Sequence, residues 1–321
     1  MSAPLVSLVT PFYNTAPYLD ECIRSVLRQT WANWEYVLLD NCSMDGSSDI
    51  AERHAREEPR IRLLRNPSLL GQVDNYNRAL SQISPQSKYC LLVQADDWIM
   101  PECVERMVNL AESDAQIGVV TSYHLEGERV VGGPLPASVS VLNGREACRQ
   151  TLRGQLSVFG SPTTVMYRAD IIRSREAFFD GTRHHEDTDA LFRTLRDWNI
   201  GFVHQVLSFV RVDNQSITSA VRRFEPFALD AFLRSRLYTD EFFTPEEAAP
   251  MKRRAETNYL KFLAARCFRP HRKELFAYHR RGLATIGYRI PRGRLAALVL
   301  WELLDYIGNP KQTLIRMLRR G

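Results

Sequence analysis

An apolar run from Tyr89 to Val93 is followed within three residues by two adjacent carboxylates, Asp96 and Asp97. A short, uninterrupted apolar run is typical of a strand that is buried on both faces of a parallel sheet. The acids then lie beyond the carboxyl end of the strand, at the edge where open α/β sheets bind ligands. Two neighbouring carboxylates repel each other unless a cation or a polar ligand lies between them. The alternative is a helix start, because Pro101 follows and acids favour helix N-termini.

On both sides of this stretch, the chain alternates apolar runs with amphipathic helical patterns. Strands are predicted at residues 5–10, 34–39, 61–64 and 117–121. This alternation predicts right-handed crossovers and an α/β fold, with a single Rossmann-like, mostly parallel sheet flanked by helices. Pro11 is expected in the loop that closes the first strand. The strand ends at Pro11, Asp40 and Asp96 would then line one edge of the sheet.

The second half is less regular. Helices are predicted at residues 143–152 and 190–198, and strands at 165–168 and 202–212. A dense polar cluster, from His184 to Asp189, precedes the second of these helices. A polar loop that contains Asp213 follows the last strand.

The charge is divided unevenly along the chain. Residues 1–221 hold 21 basic and 27 acidic residues, whereas residues 222–321 hold 21 basic and 10 acidic residues. This difference predicts a basic, helical C-terminal extension with a task of its own. Six scattered cysteines without a C-x-x-C pair argue against a zinc ribbon or a disulfide framework. No apolar run reaches the length of a membrane span, so a cytoplasmic protein is expected.

Five short motifs follow one another along the chain. They are Val6…Pro11-Phe12-Tyr13-Asn14, Leu39-Asp40-Asn41-Cys42-Ser43-Met44-Asp45-Gly46-Ser47, Asn66…Gly71…Asn77-Arg78-Ala79, Ala95-Asp96-Asp97 and Glu186-Asp187. In this order and spacing the set resembles the family 2 glycosyltransferases, which are inverting enzymes of the glycosyltransferase A fold. The resemblance covers roughly residues 4–220. It implies a nucleoside diphosphate sugar as donor and a glycan or lipid-linked glycan acceptor in cell-surface polysaccharide synthesis.

The resemblance also implies roles for residues of the nucleotide site. Pro11 and Tyr13 match the loop that packs beside the nucleobase. Asp40 and Asn41 match an acid pair whose second member accepts a hydrogen bond from the base, and the asparagine carbonyl is expected to accept it here. Asp96 matches the acid near the ribose.

The remaining implied roles concern the diphosphate and the acceptor. Asp97 matches the ligand of a divalent cation, Mg²⁺ or Mn²⁺, that bridges the diphosphate. The family often has a further acid where Gln94 stands. Asp187 matches the catalytic base, and Glu186 and Asp213 are assigned to the acceptor side.

The residues themselves leave other interpretations open. Asp187 can serve only as a first-turn residue of the helix that follows it. Asp40 can be a turn residue, Asp45 a helix cap, and Tyr13 a packing residue. Two rival functions remain, a sugar-nucleotide nucleotidyltransferase and a nucleotide-binding sheet without catalysis. A nucleotidyltransferase needs a glycine-rich phosphate loop after the first strand, and residues 10–14 contain no glycine.

Three regions are expected. Residues 1–124 form the nucleotide-sugar half and residues 125–221 the acceptor half of one domain, and residues 222–321 form the basic extension. The terminal segment mixes apolar residues from Leu295 to Leu304 with basic residues, which is typical of a helix lying on an anionic membrane surface. Packing on the catalytic domain, or on a second copy in a homodimer, gives the same pattern. No nucleic-acid partner is expected, because the extension lacks a recognised module and interleaved aromatic residues.

Overall fold

The chain folds into two units, Met1–Asn214 and Gln215–Gly321. The computed structural model describes residues 3–133, 135–156, 160–183, 185–212 and 221–308. The first unit is an α/β structure and the second is helical. The boundary between the units falls within residues 213–220, which lie outside the described part, and the expected start of the extension at residue 222 lies just after them. The expected division of the first unit at residue 124 stays a prediction.

The first unit contains a ten-stranded sheet with the order β3-β2-β1-β4-β9-β6-β10-β5, while β7 pairs with β6 and β8 with β10. The strands are β1 Val6–Phe12, β2 Trp34–Asp40, β3 Ile61–Arg65, β4 Tyr89–Leu92, β5 Trp98–Ile99, β6 Ile117–Glu126, β7 Arg129–Val131, β8 Val141–Leu142, β9 Val165–Arg168 and β10 Asn199–Val210. Strands β1, β2, β3, β4, β6 and β10 run in one direction. The predicted α/β sheet of mostly parallel strands is therefore confirmed. The antiparallel insertion of β9 between β4 and β6 was not predicted.

In the described part of the first unit, seven helices pack around this sheet. They are α1 Ala16–Leu27, α2 Ser47–Glu57, α3 Gln72–Leu80, α4 Cys103–Ser113, α5 Gly144–Leu152, α6 Ala169–Arg173 and α7 Glu186–Leu195. On one face, Ile23 of α1 and Met107 of α4 share a core with Leu8, Leu38 and Leu91 of the central strands. On the other face, helices α3, α6 and α7 line a cavity over β4. Both faces of β4 are therefore covered, as its uninterrupted apolar sequence predicts.

The prediction that Pro11 lies in a loop is wrong, because β1 continues to Phe12. The Val9 carbonyl accepts a hydrogen bond from the Val93 amide, and the Phe12 carbonyl accepts one from the Asn41 amide. Since successive residues of a strand face opposite neighbours, Pro11 faces β4 as Val9 does. The β1–β4 ladder ends at Val9. The Val93 carbonyl, which an N–H at position 11 would reach, accepts a hydrogen bond from the Thr10 hydroxyl at 2.8 Å. The missing N–H of Pro11 therefore leaves this carbonyl with a partner.

The second unit is helical, as predicted. Its helices are α8 Pro226–Phe242, α9 Pro245–Arg266, α10 Arg272–Ala284 and α11 Arg292–Gly308. Phe232 and Tyr259 stack with ring centroids 4.5 Å apart in a separate apolar core. His279 is fully buried and lies between the Tyr259 hydroxyl and the Phe224 carbonyl. Among the described helices of either unit, none combines the length and apolarity needed to cross a bilayer.

Candidate active site

Asp97 is a buried acid at the carboxyl edge of the sheet, with 3% of the residue exposed. Its Oδ1 accepts a hydrogen bond from the Arg211 backbone N–H at 2.9 Å, and its Oδ2 accepts one from the Thr163 hydroxyl at 2.6 Å. The Thr163 oxygen in turn accepts a bond from the Gln94 backbone N–H at 3.0 Å. The ends of β4 and β10 and the start of β9 thus fix the orientation of this carboxylate.

Arg211 closes the same edge with its side chain. Its Nε donates to the Asp96 carbonyl at 2.9 Å, and its Nη2 donates to the Glu21 carboxylate at 2.6 Å. The guanidinium also lies 4.7 Å from the centre of the Tyr18 ring, within cation–π range. Arg211 therefore ties β10 to helix α1 across the acid pair.

Burial raises the pKa of Asp97 to about 7, and repulsion by the Asp96 carboxylate adds to this rise. A carboxylate held here lacks enough positive charge around it, which a divalent cation would supply. Each Asp97 oxygen makes one hydrogen bond and retains a second lone pair, and hard cations prefer such oxygen ligands. The site therefore fits a divalent cation, although the described residues contain no preassembled group of three or more His, Cys, Asp or Glu ligands.

Asp40 is the last residue of β2, Asn41 follows it, and both are buried. Asp40 accepts hydrogen bonds from the Ser43 amide and the Ser48 hydroxyl, so it shapes the turn into α2. The Asn41 amide pairs with both backbone groups of Leu70: its Oδ1 accepts from the Leu70 N–H at 2.9 Å, and its Nδ2 donates to the Leu70 carbonyl at 3.0 Å.

Asn41 Oδ1 also accepts a hydrogen bond from Asn66 at 2.8 Å. An amide oxygen accepts two hydrogen bonds, so both of its lone pairs are used within the protein. A contact from Asn41 to a nucleobase, as expected from the sequence, would have to replace one of these bonds. In this structure Asn41 instead holds the loop that leads into α3.

The loops after β1 and β2 are joined to each other. The Asn14 N–H donates to the Ser43 hydroxyl, and the Asn14 side chain accepts from the Met44 N–H. Asp45 accepts from the Ser47 N–H at the start of α2 and from the Ala16 N–H at the start of α1. It lies one residue before the N-cap Gly46, so it joins the starts of the two helices and is not the N-cap that the sequence predicts.

The two residues expected beside the nucleobase differ in position and exposure, because Pro11 lies in β1 and Tyr13 lies on the loop that follows it. Pro11 is buried, whereas 41% of Tyr13 is exposed. An exposed aromatic ring at the carboxyl edge of a sheet is available to stack on a planar ligand. The geometry therefore leaves Tyr13 accessible for the contact that the sequence predicts.

Helix α3 connects these loops to the acids of the second half. Asn77 pairs with both backbone groups of Phe179, with two hydrogen bonds of 2.8 Å. Tyr76 lies edge-on to the Phe179 ring at 6.1 Å, and its hydroxyl accepts bonds from the side-chain amides of Gln72 and Gln94. The sequence did not reveal this arrangement, because a tyrosine in the apolar stripe of a helix is typical of the core.

Glu186 and Asp187 form the first turn of α7, so the helix-start interpretation of Asp187 is correct as far as position is concerned. Asp187 lines the cavity over β4 together with Tyr167, Phe178 and other apolar residues, and the cavity has room for about one water molecule. Burial raises the pKa of both acids, and for Glu186 the neighbouring Asp187 raises it further. A carboxylate with a raised pKa is a stronger base near neutral pH.

The next acid of α7, Asp189, has a structural role. It is 5% exposed and forms ion pairs with Arg193 at 2.7 Å and Arg183 at 3.6 Å. These contacts hold the first turn of α7 in place beneath the two acids. Asp213, assigned to the acceptor side, and His184 lie outside the described residues.

A parallel sheet with a polar site at its carboxyl edge, bordered by helix starts, defines an α/β protein of the nucleotide-binding kind. Residues 7–175 match the model of the family described as Glycosyl transferase family 2. The chain belongs to this family.

Comparison with curated proteins gives a similar result. Over 158 residues the chain is 28% identical to the putative teichuronic acid biosynthesis glycosyltransferase TuaG of Bacillus subtilis. The match covers 48% of this chain and 61% of TuaG, so it spans less than two thirds of that relative.

Solved structures share the fold at low sequence identity. Staphylococcus aureus TarS 1-349 superposes with a TM-score of 0.63 and 16% identity, over 95% of this chain and 86% of that one. The same fragment has been solved in complex with UDP-GlcNAc, with a TM-score of 0.57, 15% identity and coverage of 88% of this chain and 89% of that one. Mannosyltransferase PcManGT from Pyrobaculum calidifontis, in complex with GDP-Man and Mn²⁺, superposes with a TM-score of 0.54 and 15% identity, over 98% of this chain and 84% of that one.

Proposed function

We propose that this chain is an inverting, metal-dependent glycosyltransferase that moves one sugar from a nucleoside diphosphate sugar to a glycan or lipid-linked glycan of the cell surface. The observation that carries the proposal is the buried Asp97 beside Asp96, with a pKa raised to about 7, at the carboxyl edge of a family 2 sheet. The UDP-GlcNAc and GDP-Man complexes of the structural neighbours support a nucleotide sugar as donor. The teichuronic acid name of TuaG supports a cell-surface product.

Donor binding follows from the arrangement of the first unit. Pro11 and the exposed ring of Tyr13 would lie beside the base, Asp40 keeps the turn that follows β2, and Asp96 would lie on the ribose side. Asp97 would hold Mg²⁺ or Mn²⁺, which would neutralise negative charge on the departing diphosphate. Thr163 and the Arg211 backbone keep the Asp97 oxygens oriented for this task.

The chemical step needs a base on the acceptor side. Asp187 takes the proton of the acceptor hydroxyl while the hydroxyl oxygen forms a bond to the anomeric carbon. The bond between the anomeric carbon and the diphosphate oxygen breaks, and its electron pair leaves with the nucleoside diphosphate. A single displacement from the opposite side inverts the anomeric centre. Glu186 and Asp213 would contact the acceptor.

The second unit is proposed to hold the enzyme at the cytoplasmic face of an anionic membrane, where a lipid-linked acceptor is presented. Residues 222–321 carry a net charge of +11. On α11, Leu300, Trp301 and Leu304 are 58%, 71% and 55% exposed. Exposed aromatic and aliphatic residues within a basic unit are the features of an interfacial helix.

A screen of UDP- and GDP-sugars for slow donor hydrolysis tests the proposal. We expect Mn²⁺-dependent release of nucleoside diphosphate from at least one donor, and faster release when a glycan acceptor is added. Release of pyrophosphate from a sugar phosphate and a nucleoside triphosphate would instead indicate a nucleotidyltransferase. Tight nucleotide-sugar binding with no release under any condition would indicate a binding protein.

A further inference from the structure

The hydroxyl group of Tyr76 has a defined hydrogen-bond environment that the proposed mechanism does not use. Gln72 Nε2 donates to it at 2.8 Å and Gln94 Nε2 donates at 3.1 Å. A tyrosine hydroxyl carries two lone pairs and one hydrogen. Because both lone pairs accept bonds from the two amides, the hydrogen is directed toward a third group.

Several contacts keep this hydroxyl in one place. The residue is 8% exposed, and its ring lies edge-on to Phe179. The following residue, Asn77, binds both backbone groups of Phe179, so the ring and helix α3 are fixed to the same segment. Burial raises the pKa of Tyr76, and the nearby carboxylates of Asp96 and Glu186 raise it further. The hydroxyl therefore keeps its proton at neutral pH and can act only as a donor to a ligand.

The contacts of Tyr76 place it between two pairs of acids. Gln94, which donates to the hydroxyl, lies two residues before Asp96, and Phe179, which the ring contacts, lines the same cavity as Asp187. Asp96 belongs to the acid pair beyond β4, and Glu186 belongs to the acid pair that opens α7. In the proposed function the first pair serves the nucleotide and diphosphate and the second serves the acceptor. On that assignment the transferred sugar would lie between the two pairs. A fixed hydrogen-bond donor between them would face the hydroxyl or acetamido oxygens of this sugar.

We propose that Tyr76 is a specificity-determining residue that donates a hydrogen bond from its hydroxyl to an oxygen of the transferred sugar, with Gln72 and Gln94 as positioning residues. The proposal rests on the proposed function and adds a determinant of the donor sugar to it. A donor without an oxygen at that point would leave a buried hydroxyl without its partner. Such sites discriminate strongly against the analogue that lacks the group.

The test uses the full chain, Mn²⁺ and the nucleotide sugar that the wild type hydrolyses fastest, with the matching nucleoside diphosphate for comparison. Tyr76→Phe is expected to lower kcat/KM for the nucleotide sugar by about 10-fold to 100-fold, the loss typical of one substrate hydrogen bond. The affinity for the nucleoside diphosphate is expected to change by less than about twofold, because no contact to the nucleotide is removed. Gln72→Leu is expected to lower kcat/KM less, and to add nothing in the Tyr76→Phe background.

Tyr89→Phe is the matched control. The Tyr89 hydroxyl donates to Glu112 at the opposite end of β4, so its loss is expected to leave both measurements unchanged. An unchanged kcat/KM in Tyr76→Phe would overturn the proposal, and so would a parallel loss of nucleoside diphosphate affinity, which would assign Tyr76 to the nucleotide or to the fold. Failure of the proposed function would appear differently, because the wild type itself would then release no diphosphate from any donor.

Discussion

Asp97→Asn should make the metal-free protein more stable at alkaline pH while it weakens ligand binding. The wild-type carboxyl has a pKa of about 7 in the folded protein and 3.8 as an unperturbed group. The folded state therefore holds this proton more tightly than the unfolded state, and the contribution to stability is lost as the pH rises from about 4 to about 7. An asparagine carries no such titration.

The magnitude follows from the two pKa values. The rise in the pKa of Asp97 lowers the free energy of unfolding by about 4 kcal/mol above pH 8. About 2.5 kcal/mol of this loss occurs between pH 5 and pH 8. Asparagine has one oxygen fewer, so it loses the bond from Thr163 at a cost of about 1 kcal/mol that does not depend on pH. The difference between mutant and wild type in the free energy of unfolding should therefore increase by about 2.5 kcal/mol from pH 5 to pH 8.

Denaturant unfolding followed by tryptophan fluorescence at both pH values provides the measurement. Asp189→Asn is the control, because Asp189 is equally buried but paired with Arg193 and Arg183. Neutralising Asp189 removes the acid from its ion pair with Arg193 and weakens the pairing of Arg183, so it should lower stability at pH 8. A difference between Asp97→Asn and the wild type that is the same at both pH values would refute the argument that Asp97 is an uncompensated buried acid.

Three further predictions concern other parts of the chain. Asp187→Asn should leave nucleoside diphosphate affinity, measured by calorimetry, nearly intact. It should lower turnover in steady-state kinetics by at least roughly 100-fold, the scale expected for loss of a general base. Near wild-type turnover would assign Asp187 to the helix start alone. Burial lowers the pKa of His279, so the helical unit should lose stability as the pH falls below about 6.5. Thermal unfolding should therefore occur at a lower temperature at pH 5.5 than at pH 7.5. His279→Gln should reduce this difference between the two pH values. Replacing Trp301 and Leu304 with Ser should reduce co-sedimentation with anionic vesicles at low salt, whereas equal pelleting of both proteins would remove the membrane interpretation.

The sequence was sufficient for those features that depend on local patterns. The apolar run before Asp96 and Asp97 predicted a strand covered on both faces, and β4 has this form. The alternation of strands and helices predicted the α/β sheet. The end of β1 was predicted too early, because proline normally ends a strand. Pro11 is tolerated within β1 because the β1–β4 ladder already ends at Val9, and the sequence does not show where that ladder ends.

Contacts between distant segments could not be predicted in this way. Asn41 and Leu70 are 29 residues apart, and Asn77 and Phe179 are 102 residues apart, yet each pair is joined by two hydrogen bonds. An asparagine in a polar loop or on a helix gives no sign of such a partner. The two pairs hold both ends of α3 and thereby position Tyr76.

The donors to Asp97 were also missed, because their positions depend on where strands end in the folded sheet. Thr163 precedes β9, and the order in which β9 enters the sheet was not predicted. Arg211 follows directly on β10. A sequence motif does not show where its backbone N–H is directed. A cluster of hydroxyl residues just before a strand, as in residues 161–164, was the available signal for one of the two donors.

Calorimetric titration of UDP and GDP, each with and without Mn²⁺, tests most directly whether Asp97 anchors a metal-bound nucleotide. For the wild type we expect binding of at least one nucleotide that becomes at least about tenfold tighter with Mn²⁺, because the cation links the carboxylate to the diphosphate. Asp97→Asn should abolish that gain, whereas Asp189→Asn, provided that it folds, should retain it. Equal affinity of the wild type with and without Mn²⁺, or an undiminished metal effect in Asp97→Asn, would contradict the account.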